Sequence, residues 1–207
     1  MPIFKLSELM LSNYRFTSMT KKILVMLSEW GYWGEELIGP LDVLTKAGYT
    51  LDFMTAFGRK PPALPPSMEE GYLDPPLNKV VTDAHFAKRT TEVHESNLLS
   101  NPITLSEKLS LMPYFNGQNF GLDLAAFHDR REEFWKEFVD PYDALLLPGG
   151  SGPMVDMVNN ERLHNLILGY VNRNKLIAAE CYCVTCLAFA REWSDRKSII
   201  WGKNVTG

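Results

Sequence analysis

At 207 residues, of which 45% are hydrophobic and 22% charged, the chain has the makeup of an ordinary soluble folded protein, long enough for one large or two small domains with a proper core. A formal net charge of -4 with the signs interspersed leaves no basic stripe, and no apolar run approaches membrane-spanning length, so neither nucleic acid nor membrane is an expected partner. Met1 to Thr20 lack the unbroken apolar core of a secretory signal, so the cytoplasm is the expected compartment and the three cysteines are expected as thiols.

In chain order, residues 1–20 read as an N-terminal arm, either laid across a partner subunit or a disordered leader. Lys21 to Ser28 is a continuous apolar strand behind two lysines, the pattern of a strand covered on both faces. After a Gly- and aromatic-rich turn, Glu35 to Gly48 predicts a helix with Leu37, Leu41 and Leu44 on one face and Gly48 as its stop; Pro40 should bend or break its first turns. Tyr49 to Ala56 predicts a second strand. Strand, helix and strand in so short a span make a βαβ unit with a right-handed crossover, hence an α/β fold on a parallel sheet. Phe57 to Pro76 carries three Pro-Pro pairs and reads as a loop without regular structure, of a length that usually shapes a site or an interface. Residues 57–140 as a whole read as a loop and cap insertion in a single domain spanning 21–207. Within it, Asp83 to Leu99, Leu105 to Met112 and Asp129 to Val139 predict helices, Asn116 to Gly121 a loop, and Phe134, Trp135 and Phe138 a core face.

Tyr142 to Gly150 is a buried strand ending in Gly149-Gly150, two glycines that let backbone N–H groups come close to a ligand beyond the strand's carboxyl end. Asn159 to Asn172 predicts a helix. The most informative stretch is Leu176 to Ala190, which holds all three cysteines. Lys175 to Glu180 has strand character and Cys183 to Arg191 can run as a helix, which leaves Cys181 at the junction. A thiol on a sharp strand-to-helix turn is lifted out of the sheet, and the N–H groups of the following helix favour its thiolate, as in a nucleophile elbow. Three small thiols filling a core is the bland alternative, but three clustered at a turn favour the reactive reading. Cys183 and Cys186 at a helix start also fit a redox pair or, with Cys181, a soft-metal thiolate site. His85, Glu92, His94 and Glu95 could donate to a metal, yet their spacing matches no metal signature and fits solvated helix residues better. No metal or cofactor is expected. Ile199 to Gly207 starts like a further strand.

Glu35-Glu36 with Pro40-Leu41-Asp42 after the first strand, Tyr142-Asp143-Ala144 running into Leu147-Pro148-Gly149-Gly150, and Leu176 to Ala190 around Cys181 together resemble the ThiJ/PfpI superfamily. Its members share a glutamine-amidotransferase-like fold and include deglycase-like proteins, PfpI-type proteases, isocyanide hydratases and a glyoxalase/chaperone heat-shock subgroup, to which this chain is most similar. The resemblance implies Cys181 as nucleophile, Glu36 as the carboxylate that hydrogen-bonds or protonates near the sulfur, and Gly149, Gly150 and the Tyr182 N–H as oxyanion donors. Many members place His directly after the cysteine; Tyr182 stands here, and Cys183 replaces the usual small residue after it, which argues against a His-assisted mechanism. Glu180, where apolar residues are usual, is either a buried acid satisfied by Arg or backbone, or a second acid/base beside the sulfur.

Two function classes follow. One is a hydrolase- or lyase-type enzyme acting on a small carbonyl, amide or nitrile-like substrate through a thiol adduct on Cys181; the other is a redox-sensing or chaperone-like stress protein. Because superfamily members continue past the elbow, the resemblance also implies that the C-terminal part of the fold is absent from this chain. A second polypeptide beginning after Gly207, a subunit or the rest of a cleaved precursor, is then the expected partner, in a homo- or hetero-oligomer.

Overall fold

The computed structural model describes residues 21–114 and 118–206; the arm expected over 1–20 lies outside them. Short apolar runs that carry no polar alternation need cover on both faces, and they find it in a parallel sheet. Strand β1 (Lys22–Met26) leads into helix α1 (Gly34–Lys46) and β2 (Thr50–Thr55). A small hairpin of β3 (Leu73–Asp74) and β4 (Lys79–Val80) follows, then α2 (Ala84–Glu95), β5 (Ile103–Thr104), α3 (Leu105–Lys108) and α4 (Phe120–Phe138). The last third runs through β6 (Ala144–Leu147), α5 (Pro153–Asp156), α6 (Glu161–Asn172), β7 (Leu176–Ala179) and α7 (Val184–Phe189).

The main sheet has the order β5-β2-β1-β6-β7, and every pairing in it is parallel. The chain therefore winds outward from β1 through β2 to β5, then returns to the other side of β1 for β6 and β7. Such a reversal opens a crevice beyond the carboxyl ends of β1 and β6, the place where open α/β sheets hold ligands. Period-two alternation splits the core into two layers. Leu24, Met26, Leu145 and Leu147 face α4 and α6, whereas Ile23, Val25, Ala144 and Leu146 face α1 and α2. Leu24, Val25 and Leu145 are wholly buried, and each such side chain contributes about 1.5–3 kcal/mol. Gly169 lets α6 approach α4: a Cβ there would lie 2.5 Å from the Trp135 ring, whose Nε1 donates to the Asn165 carbonyl at 2.8 Å.

Several expectations are corrected. Pro40 lies inside an unbroken α1: its missing N–H forfeits one bond, to the Glu36 carbonyl, while Leu37, Ile38 and Leu41 stay buried on the sheet. The Pro-rich stretch is not wholly irregular, since Pro65–Met68 form a 3-10 turn and the hairpin closes where Asp74 Oδ2 accepts the Leu77 N–H at 2.9 Å. The segment read as loop and cap supplies β5 to the main sheet and α4 to one of its faces. Helix α4 starts at Phe120, so Gly121, assigned to a loop, is helical. Residues 199–202 form turns and 203–206 have no regular structure, instead of a strand; Ser198 makes one antiparallel bridge, to Arg191.

Candidate active site

Three loops meet at the carboxyl edge of β1, β6 and β7. The one after β1 is pinned by the Asp156 carboxylate, which accepts the Ser28 hydroxyl at 2.6 Å and the Glu29 N–H at 2.8 Å. Tyr32 then joins the Pro-rich loop by backbone hydrogen bonds to Pro62 and Leu64, and the Trp33 N–H reaches the Gly149 carbonyl at 3.0 Å. Helix α1 starts immediately afterwards and places Glu35 and Glu36 in its first turn, where the helix N-terminus favours negative charge. Gly34 is needed at that start: a Cβ would come within 2.2 Å of the Thr90 hydroxyl on α2.

After β6, the Gly149 N–H donates to Glu36 Oε2 at 2.7 Å. A Cβ on Gly149 would sit 2.5 Å from the Glu180 carbonyl, 2.8 Å from Cys181 Cβ and 2.9 Å from that same Glu36 oxygen. The carboxylate and the cysteine thus flank one glycine. Gly150 has φ +94, and its Cβ would meet the Trp33 nitrogen at 2.6 Å, so both glycines are required by conformation or by contact.

The third loop is the elbow. Cys181 adopts φ +50, a left-handed conformation that is rare for a side chain other than Gly, Asn or Asp. A 3-10 turn over Cys181–Cys183 follows and passes into α7. The Cys183 N–H bonds the Glu180 carbonyl at 3.0 Å, and its thiol donates to the Pro148 carbonyl at 3.1 Å, tying the elbow to the β6 loop. Backbone N–H groups of Gly150 and Tyr182 point at the Cys181 sulfur. Of the expected oxyanion donors, these two are free to serve, whereas the Gly149 N–H is already committed to Glu36.

The electrostatics run against the expected easy thiolate. Cys181 is exposed to the cavity, yet the surrounding chain crowds the sulfur enough that burial leads in pushing its pKa up, and the neighbouring Glu36 adds to this. The N–H groups of Gly150 and Tyr182 oppose the shift without cancelling it. Burial likewise raises the Glu36 pKa, against the Gly149 N–H and the Cys181 thiol, with the Glu180 and Glu35 charges adding to the rise. Glu180 itself is raised by burial and by Glu35. Its carboxylate has no hydrogen-bond partner among the described residues, so it bears on Glu36 through charge and does not bond the sulfur. Cys183 and Cys186 are fully buried and interact with each other, which, with burial, holds the Cys183 thiol protonated. All three cysteines are free. Among the described residues, no three His, Cys, Asp or Glu side chains gather closely enough to hold a metal ion, so Cys181, Cys183 and Cys186 do not converge as a ligand set. His94 is engaged otherwise, its Nδ1 accepting the Ala63 N–H at 3.2 Å.

The Cys181 sulfur opens into a cavity of about 400 Å³. Glu36, Gly150 and Tyr182 line it with Cys181, as expected positions brought together. Trp33 and Asp74 line it too, as do Leu64 and Pro66 of the Pro-rich loop and Leu77 and Val81 of the hairpin region, none of which the sequence singled out individually. For Leu64, Pro66 and Asp74 the signal was the length and proline content of the loop over Phe57 to Pro76. A second cavity of about 210 Å³, around Phe189, Arg191 and Trp193, contains none of the expected site residues. No helix among the described residues is long and apolar enough to cross a membrane.

The sequence model of the family described as ThiJ/PfpI family-like matches residues 27–203. No curated protein sequence matches the chain. One solved crystal structure is 22% identical over 91% of this chain and 68% of its own, with a TM-score of 0.59. The Rapid Encystment Protein 24 kDa of Francisella tularensis is 21% identical over 90% of this chain and 69% of its own, with a TM-score of 0.57. A ThiJ/PfpI domain protein from Brachyspira murdochii is 15% identical over 90% of this chain and 79% of its own, with a TM-score of 0.48. At these identities the first two likenesses establish a shared fold.

Proposed function

Since the chain belongs to the ThiJ/PfpI-like family, we propose that it is a cysteine-nucleophile enzyme of hydrolase or lyase type, in which Cys181 adds to a small carbonyl, amide or nitrile-like substrate and Glu36 carries the proton. The observation that carries this reading is the left-handed Cys181 at the strand-to-helix turn after β7, with Glu36 beside its sulfur and two backbone N–H groups aimed at it.

The raised thiol and the raised carboxyl suit a shared proton better than a preformed thiolate. The Glu36 carboxylate takes the S–H proton as the sulfur lone pair forms the S–C bond. The C=O π pair moves onto oxygen, and the protonated Glu36 returns the proton there, giving a neutral hemithioacetal from an aldehyde. A raised Glu36 pKa makes its carboxylate a stronger base, which favours taking the S–H proton. N–H groups of Gly150 and Tyr182 lie where the oxyanion develops beside the sulfur; a donor so placed is worth about 3 kcal/mol. Glu180 raises Glu36 by its charge and is a positioning residue in this scheme. A redox-sensing stress protein is the weaker reading, because a sensor relies on an easily ionised thiol and this one is pushed the other way.

Turnover of small oxoaldehydes, amides and nitriles, together with the mass of the Cys181 peptide, tests the proposal. A substrate-derived adduct on Cys181 and loss of turnover in Cys181→Ala are expected. Turnover that survives in Cys181→Ala, or peroxide oxidation of the sulfur with no adduct from any of these substrates, would overturn it.

A further inference from the structure

The cavity over Cys181 has a one-sided charge. Glu35, Glu36 and Asp74 line it, and among the described residues no Lys, Arg or His does. Glu180 stands behind them, close enough for the Glu35 charge to act on it. None of these four carboxylates belongs to an ion pair among the described residues, so no cation among those residues offsets them. The rest of the wall is aromatic and aliphatic: Trp33 and Tyr182 stand with Leu64 and Leu77 around the opening, and Trp33 is braced edge-on by Tyr72 at a centroid distance of 6.5 Å. Low-dielectric walls carrying one sign of charge focus the field and concentrate ligands of the opposite sign. Indole and phenol faces attract the same ligands through their quadrupoles. A carboxylate or phosphate substrate would meet repulsion with no cation to receive it.

We propose that this cavity selects a small carbonyl compound bearing a positive charge, such as an amino-substituted aldehyde or ketone, and rejects oxoacids and phosphorylated carbonyls. This rests on the reading of Cys181 as the nucleophile of the cavity. In the bound complex the ammonium group lies against Glu35 and Asp74 and the face of Trp33, which leaves the carbonyl carbon toward the Cys181 sulfur and its oxygen toward the Gly150 and Tyr182 N–H groups. Glu35 and Asp74 are then specificity determinants, separate from the proton carrier Glu36. The small overall charge of -4 in 207 residues would not by itself produce such a local preference.

Three methanethiosulfonates that differ only in their tails test the idea without knowledge of the substrate: a cationic trimethylammonioethyl, a neutral methyl and an anionic sulfonatoethyl reagent. In each case the Cys181 thiolate attacks the sulfenyl sulfur, the new S–S bond replaces the S–SO2 bond, and methanesulfinate departs with the electron pair while the thiol proton goes to buffer. Rates at Cys181, assigned by peptide mass and divided by those of a small free thiol with the same reagents, remove intrinsic reactivity. The normalised cation-to-anion ratio is expected to be about tenfold or more at low salt, to shrink as salt is added, and to fall in Glu35→Gln, whose altered side chain is exposed. A normalised ratio near one at low salt would overturn the charge selection and leave the nucleophile reading intact. Failure of even the neutral reagent to label Cys181 ahead of Cys183 and Cys186 would overturn that reading, and the charge selection with it.

Discussion

Glu36 does two jobs with one carboxylate: it accepts the Gly149 N–H at 2.7 Å and it faces the Cys181 thiol. The second task sets the acidity of the sulfur. Because burial and then the Glu36 charge, against two N–H donors, hold the Cys181 pKa above its ordinary value, the thiolate fraction at neutral pH is below that of a free cysteine. Alkylation by neutral iodoacetamide should therefore rise through a midpoint displaced to higher pH. Glu36→Gln keeps an oxygen for the Gly149 N–H but removes the negative charge and the S–H acceptor, so the midpoint should move down. Carbonyl turnover should fall at the same time by about 10²-fold, since the proposed proton carrier is lost. Opposite changes in the two readouts distinguish a proton carrier from a group that merely props the loop. A midpoint unchanged in Glu36→Gln would remove Glu36 from the site.

The elements around the site depend on two crowded glycines and tolerate a third. An added Cβ on Gly149 would lie 2.5 Å from the Glu180 carbonyl, and on Gly150, at φ +94, it would lie 2.6 Å from the Trp33 nitrogen; in both cases the obstacle is backbone that cannot turn aside. Gly149→Ala and Gly150→Ala should each cost about 2–3 kcal/mol in urea unfolding and should lower turnover by separating Glu36 from the sulfur. Gly39, within α1, has open space where its Cβ would go, and Gly39→Ala should instead stabilise by about 0.5–1 kcal/mol. Equal effects at Gly39 and Gly149 would contradict the close packing of β6 against the elbow. The sequence showed these elements unevenly, for physical reasons. Continuous apolar runs made β1, β6 and β7 readable, and the helix predicted over 159–172 contains α6. By contrast, β5 is two residues long and exists because it pairs with Met54 and Thr55, a contact that no local pattern announces. The same is true of the hairpin and of Asp74 in the cavity wall, whose place depends on a loop folding back across the sheet. Cys181 and Glu36 were legible as residues, but the direction of the thiol's shift was not, since it follows from how closely the chain crowds the sulfur.

Across the whole molecule, the sheet order puts the site and the core in one continuous structure. The reversal between β1 and β6 creates the crevice, and the same elbow that lifts Cys181 into it turns Cys183 and Cys186 into the layer beneath, where both are 0% exposed. Cys183 donates to the Pro148 carbonyl, while Cys186 packs in the same cluster as Leu166, Ile167 and Trp135. The three thiols thus report on two different processes. Cys181, which is exposed, is expected to react from the folded state. The other two are on the buried side of the elbow and of α7, in one cluster with Leu163, Leu166 and Ile167 of α6, and local fraying of the elbow would not expose Cys186 without displacing those α6 side chains. Domains of this size are stable by about 5–15 kcal/mol, so labelling that requires global opening is slowed by roughly 10³-fold or more. In a native-state experiment with a neutral disulfide reagent, one thiol should react quickly and map to Cys181, and the remaining two should react slowly, at rates that converge on the unfolding rate as urea is added. Blocking Cys181 first with iodoacetamide should leave those slow rates unchanged. If Cys186 were labelled within a few-fold of Cys181 in the absence of urea, the elbow would be a mobile flap rather than a part of the core, and the geometry on which the proposed proton transfer depends would be lost with it.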